Sequence, residues 1–247
     1  MRPFAIRALL WKETQQLGRN RTALLTAAFL PAAILFLAPI QLLVQLRLAG
    51  GARGFDQVNG LPGFSGVTQP TDLLLQFIYP LLFVIGGMLL PTLTTTYAIV
   101  AERERRSLEL LVSLPVSVNE ILGAKLLAVL VVTALVGLPY IAVIISLLIV
   151  LGVADTGIIP VLVAPFLAAV VCSTAVSLLL TLLARDFRSA NNLNGVFLVP
   201  VIVVTAITLS AVGGPVRTYV LSAVLLVLAA VALVVALRWV TFERYLE

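Results

Sequence analysis

Six stretches of the chain carry no charged residue: 22–46, 73–101, 126–154, 156–184, 189–216 and 218–237. A helix needs about 20 apolar residues to cross the hydrocarbon core of a bilayer, so each stretch is long enough. Backbone groups in lipid must be satisfied within the protein, which leaves helices or closed barrels. The short alternating segments of a barrel are absent, and the runs are continuously apolar. Composition agrees: 61% of the residues are hydrophobic and 11% charged, against roughly 45–50% and about 25% in a soluble domain. The expected fold is an all-α integral membrane protein of six transmembrane helices forming one domain over 1–247. The spans fall at about 22–46, 73–100, 124–151, 157–184, 194–213 and 217–239.

Orientation follows from the basic residues, because cytoplasmic segments near span ends collect Lys and Arg. Of the 16 Lys and Arg residues, only Arg47, Arg53 and Arg217 fall on one side. The others lie before span one, between spans two and three, after span four or at the chain end. Both termini are therefore expected in the cytoplasm, in a multi-pass protein of the cell (inner or plasma) membrane. The net charge of +5 reflects this bias and implies no nucleic-acid partner. The glycine-rich segment 47–72 becomes an external loop. The first apolar run begins after a 21-residue polar lead and is too long for a signal-peptide core, so it is expected to remain as a span.

Several chemistries lack their residues. The chain has no histidine and one cysteine, Cys172, in mid-span. That removes the usual zinc sites, Ser-His-Asp chemistry and an intrachain disulfide. No span has an acidic or basic residue near its centre, which argues against a proton-coupled carrier or ion pump. A membrane-embedded lipid-modifying enzyme would need clustered acids or a nucleophile with a base, and the acidic residues form no such array. The polar atoms within spans are hydroxyls and amides. Gln76, Thr92, Thr95, Thr133 and Thr205 are the candidates for lining a substrate pathway. The competing reading is that threonine hydroxyls bond a carbonyl one turn back.

Residues 1–21 have Phe4, Ala8 and Trp11 near one helical face and basic residues elsewhere, as in an interfacial amphipathic helix. A plain basic tail is the alternative. Prolines recur in the spans, among them Pro80, Pro91, Pro160, Pro165 and Pro200, and serve either as ordinary kinks or as hinges. Span four carries Ala164, Ala168 and Cys172 at spacing four, beside Ala169, Ser173 and Ser177. Such a strip suits close helix packing, within one chain or between chains.

The cytoplasmic segment 102–121 differs in character from the rest. Dense charge at its start gives way to Leu108, Leu110, Leu111 and Leu114, then a break at Pro115. Ser117 and Glu120 have the spacing of a capping box, starting the helix that becomes span three. A plain solvated loop does not need four leucines. A short amphipathic helix over about 107–114 suits docking to lipid headgroups or to a protein groove.

The run Glu102-Arg103-Glu104-x-x-Ser107-Leu108-Glu109-x-Leu111, followed by Pro115-Val116-Ser117 and Glu120-Ile121, resembles the signature of type-2 ATP-binding cassette (ABC) transporter permeases. The similarity is dense over about 25 residues, and the six-span layout extends it along the chain. Arg106 departs from the glycine of that pattern, and Gly123-Ala124-Lys125 spaces out its Gly-Lys pair. The resemblance implies an exporter permease working as a dimer with an identical or related second chain. Two copies of a separate ABC ATPase would bind ATP and Mg, and this chain itself would bind no cofactor. It has no G-x-x-x-x-G-K-[ST] phosphate loop. The resemblance further implies that Glu102, Arg103, Glu104, Ser107, Leu108, Glu109, Leu111 and Pro115 form the ATPase-coupling segment. Residues 1–21 would be the connecting helix, and membrane lipids would surround the spans. The relatives also carry re-entrant helices between the last two spans, for which Gly213-Gly214-Pro215 leaves little room. A non-transporting membrane scaffold or immunity partner with the same fold is the alternative function.

Overall fold

The computed structural model describes residues 70–104, 118–184, 186–214 and 216–239, together with 11, 29, 33–37, 39–41 and 44. All regular structure among them is helical. Five long helices dominate: α1 (Tyr79–Glu104), α2 (Val118–Val150), α3 (Ile158–Leu183), α4 (Phe187–Ala211) and α5 (Val216–Trp239). Five spans long and apolar enough to cross a membrane start at Thr71, Ile121, Ile158, Arg188 and Val216. The expected first span, 22–46, lies mostly outside the described residues; Ala33–Leu37 within it is a π-helical turn. Of the expected surface helix at 1–21 only Trp11 is described, and it is exposed.

Local chemistry explains where the helices begin and end. The helix carrying the fifth expected span starts at Phe187, seven residues before the expected 194. Asp186 accounts for this: its carboxylate accepts a 2.7 Å hydrogen bond from the Ser189 N–H, satisfying an otherwise orphaned donor. Gly214 has φ +70°, a left-handed conformation that a Cβ disfavours. It closes the connection between Ala211 and Val216, which is too short for re-entrant helices. Gly152, at φ +66°, closes the turn after α2. The entry to α1 is irregular: one α-helical turn, Pro70–Leu73, leads into a π-helical turn, Leu74–Ile78. The Tyr79 N–H closes that turn on the Leu74 carbonyl.

α3 is the central helix and packs chiefly against α1 and α5. Its small-residue strip is the reason. Ala168, Ala169, Cys172, Ser173 and Ser177 are all buried within this one chain, so backbones approach closely where a larger side chain would hold them apart. Phe166 fills the junction of three helices, seated against Gly87 of α1 and Gly137 of α2. Around it, Tyr79, Phe83, Leu90, Ile141, Ile144, Leu148 and Leu162 form an apolar cluster. A second cluster joins α1, α3 and α5 through Val84, Met88, Val176, Leu221 and Leu225. Tyr79 also donates to the Pro39 carbonyl at 3.3 Å, tying the described part of the first expected span to α1. The outer faces of α2, α4 and α5 carry exposed Leu135, Val196, Val199, Ile207, Val227 and Val231. In water that surface would be a liability; a bilayer or an apolar neighbouring chain accommodates it.

Candidate functional site

The threonine run of α1 forms a polar seam through the bundle. Pro91 cannot donate to the carbonyl one turn back, which loosens the helix at this level. Around the loosened turn, the hydroxyls of Thr92 and Ser173 each donate to the Met88 carbonyl at 2.6 Å. The two hydroxyl oxygens lie 2.9 Å apart, and Ser177 donates to Thr92 at 3.4 Å. Thr96 donates to the Thr92 carbonyl at 2.8 Å and accepts from the Asn194 amide at 3.2 Å. α1 is thereby hydrogen-bonded to both α3 and α4. Thr92 thus ties helices together by its hydroxyl.

The other hydroxyl candidates behave differently. Thr95, Thr133 and Thr205 are buried on α1, α2 and α4, and their Oγ1 atoms have no hydrogen-bond partner among the described residues. Thr181 of α3 shares this condition and was not singled out by sequence. A buried hydroxyl without a partner costs about 1–3 kcal/mol, so each is a site where water, a ligand or another conformation would be favourable.

Gln76 sits apart from the seam. The π-helical turn brings Leu75 and Gln76 to a cavity of about 400 Å³ at the end of the bundle formed by the 151–157 and 212–215 connections. Its remaining lining includes Val153, Asp155, Val161, Arg217 and Thr218. Arg217 opens the sixth expected span, 217–239, on the side with few basic residues. It is fully buried on the first turn of α5. The signal was present in Gly213-Gly214-Pro215: a connection this tight leaves a following arginine no loop on which to reach water. Lys125, counted with a cytoplasmic connection, is likewise buried in α2.

The segment expected to couple to a partner is only partly described. The backbone of Glu102, Arg103 and Glu104 continues α1 to its end. Ser107, Leu108, Glu109, Leu111 and Pro115 lie outside the described residues. Residues 102–104 thus lie at the end of α1 opposite the cavity.

Residues 7–221 match the model of a protein family described as ABC-2 family transporter protein. No curated protein and no solved structure matches the chain.

Proposed function

We propose that this chain, which belongs to the ABC-2 transporter family, is the membrane subunit of an exporter powered by a separate ABC ATPase. Family membership over residues 7–221 is the observation that carries the reading. It makes the chain a transporter membrane component, not itself catalytic, and the five apolar helices fit a multi-pass protein. Two such chains, identical or related, would enclose the pathway, and two ATPase subunits would bind ATP and Mg at its cytoplasmic end. Nucleotide-driven closure of the ATPases would push on residues 102–121 and switch the permeases between inward- and outward-facing states.

The pathway is assigned to Gln76, Thr92, Thr95, Thr133 and Thr205. What supports this is the set of hydroxyls on Thr95, Thr133 and Thr205 without a partner among the described residues, because a polar atom unsatisfied in one packing gains a partner when helices part around a cargo. Hydroxyls without charges suit an amphipathic, lipid-like or peptide cargo at least as well as an ion. The seam at Thr92 and Ser173 would be a latch between α1 and α3 that such a movement releases.

The test is co-purification. A tagged full-length chain extracted from the native membrane should retain an ABC ATPase, with hydrolysis that rises when its cargo is added. A chain that purifies without an ATPase under mild extraction would favour the non-transporting scaffold instead.

Orientation is tested independently. In a Cys172→Ser background, single cysteines replacing Val58 or Thr156 should react with an impermeant maleimide on intact cells. One replacing Ser189 should react only after permeabilisation. Labelling of the Ser189 position from outside would invert the topology and move 102–121 away from any cytoplasmic ATPase.

A further inference from the structure

We propose that the cavity at the 151–157 and 212–215 end of the bundle binds the anionic headgroup of an amphiphile, a phosphate or carboxylate carried on an apolar chain, with Arg217 as its counterion. Arg217 is fully buried, and neither Nη1 nor Nη2 has a hydrogen-bond partner among the described residues. A guanidinium cannot escape by losing its proton, and an isolated buried charge is strongly disfavoured. Its Nε donates to the Gly214 carbonyl at 3.0 Å. That bond holds the guanidinium beside the cavity it lines, while the Nη donors have no partner among the described residues. Donors of this fork geometry match a carboxylate or phosphate in two parallel bonds.

The surrounding field has the same sign. α3 and α5, of 26 and 24 residues, both begin at this cavity, through Gly157 and Ile158 and through Arg217 and Thr218. Helix N-termini carry partial positive charge that favours an anion. The first N–H groups of α3 are already used, since Ile158 and Ile159 donate to the Asp155 and Thr156 carbonyls. α3 therefore contributes its dipole, and Arg217 contributes the direct bonds. Asp155 also lines the cavity, is exposed, and does not satisfy the Nη atoms. Its carboxylate sets a limit on how much negative charge the site accepts.

Size and lining specify the rest of the ligand. About 400 Å³ is far more than a free anion needs and lies within the range of small-molecule sites, roughly 300–1,000 Å³. The walls are mostly apolar, with Leu75, Val153, Ala154, Ile158 and Val161 around the polar Gln76 and Thr218. A charged head against Arg217 with an apolar tail along these side chains uses both features; an inorganic ion would use one. This inference does not depend on the transport reading, since binding is measured on the chain without an ATPase.

The experiment is native mass spectrometry of the full-length chain in non-ionic detergent. Short-chain phosphatidate is compared with the matching uncharged diacylglycerol, and inorganic phosphate is the competitor. Phosphatidate should bind at least about tenfold more tightly than diacylglycerol, the scale of a charge-assisted bidentate contact. Arg217→Gln should abolish that preference, and Arg217→Lys should keep part of it. Val161→Trp, which fills the cavity and leaves Arg217 in place, should lose phosphatidate while the chain still folds. Without ligand, Arg217→Gln should melt no lower than wild type, because it removes a charge that no described residue compensates. An unchanged phosphatidate preference in Arg217→Gln overturns the proposal, as does undiminished binding in a folded Val161→Trp. Displacement by inorganic phosphate at concentrations equal to the lipid would reduce the cavity to a free-anion site and overturn the amphiphile assignment.

Discussion

Leu108→Asp combined with Leu111→Asp is expected to release the ATPase from a tagged chain while leaving the chain inserted and dimeric. The proposal puts both leucines in a groove of the partner, where removing them from water is worth roughly 3–6 kcal/mol in transfer terms. Association and side-chain ordering take back part of this, yet the remainder is still large against the binding of one short helix. Two aspartates would also place charges in an apolar groove without counterions, which adds to the loss. Pull-down from detergent-solubilised membranes reads the effect as retained or lost ATPase. Glu109→Ala should act more gently: assembly persists in part, and cargo-stimulated hydrolysis falls. If the leucines instead rest on the lipid surface and the nearby arginines only set orientation, the double aspartate leaves ATPase retention at the wild-type level. Full retention with normal export would remove residues 107–114 from the coupling role.

The readable and unreadable parts of this chain separate on physical grounds. Charges are strongly excluded from the hydrocarbon core, so charge-free runs mark helices with little ambiguity, and each described long helix overlaps one of them. The order of packing was not readable. A span that is apolar all round has no polar face to point outward, so nothing in the periodicity of α3 says that it lies at the centre. Its small residues gave the one usable hint, and Ala168, Ala169 and Ser173 are indeed buried in the intrachain contacts with its neighbours.

Among the candidate pathway residues, residue type alone could not distinguish a hydroxyl bonded across helices from one left alone. Thr92 accepts a hydrogen bond from Ser177 of α3, and Thr95, one turn on, makes none among the described residues, because only the first faces Ser173 and Ser177. Arg217 was hidden for the opposite reason. A charge next to a loop reads as solvated, and only the tight turn at Gly214 reveals that it is drawn under the bundle.

The wedge at Phe166 gives the largest expected effect on folding, and two glycines test it in distinguishable ways. A Cβ at Gly137 would lie 2.6 Å from Phe166 Cζ and 3.1 Å from Leu90 Cδ1. Both obstacles are ends of side chains. A Cβ at Gly87 would lie 2.9 Å from Phe166 Cδ2 but also 3.1 Å from the Phe166 carbonyl oxygen and 3.3 Å from Ala169 Cβ. The carbonyl belongs to the backbone of α3 and cannot rotate aside. Gly137→Val and Gly87→Val should each destabilise the chain by about 1–3 kcal/mol or somewhat more, the usual cost of overpacking. For a chain of this size that is on the order of 2–12 °C in melting midpoint, readable by thermal denaturation in detergent. Phe166→Leu shortens the ring, so in combination with Gly137→Val it should recover at least half of the lost midpoint. The same second change should recover much less beside Gly87→Val, because the helix backbones still collide there. Equal rescue at both positions would mean that the ring alone sets the spacing of α1 and α3. A Gly137→Val chain that melts like wild type would show that Phe166 does not fill the junction of α1, α2 and α3.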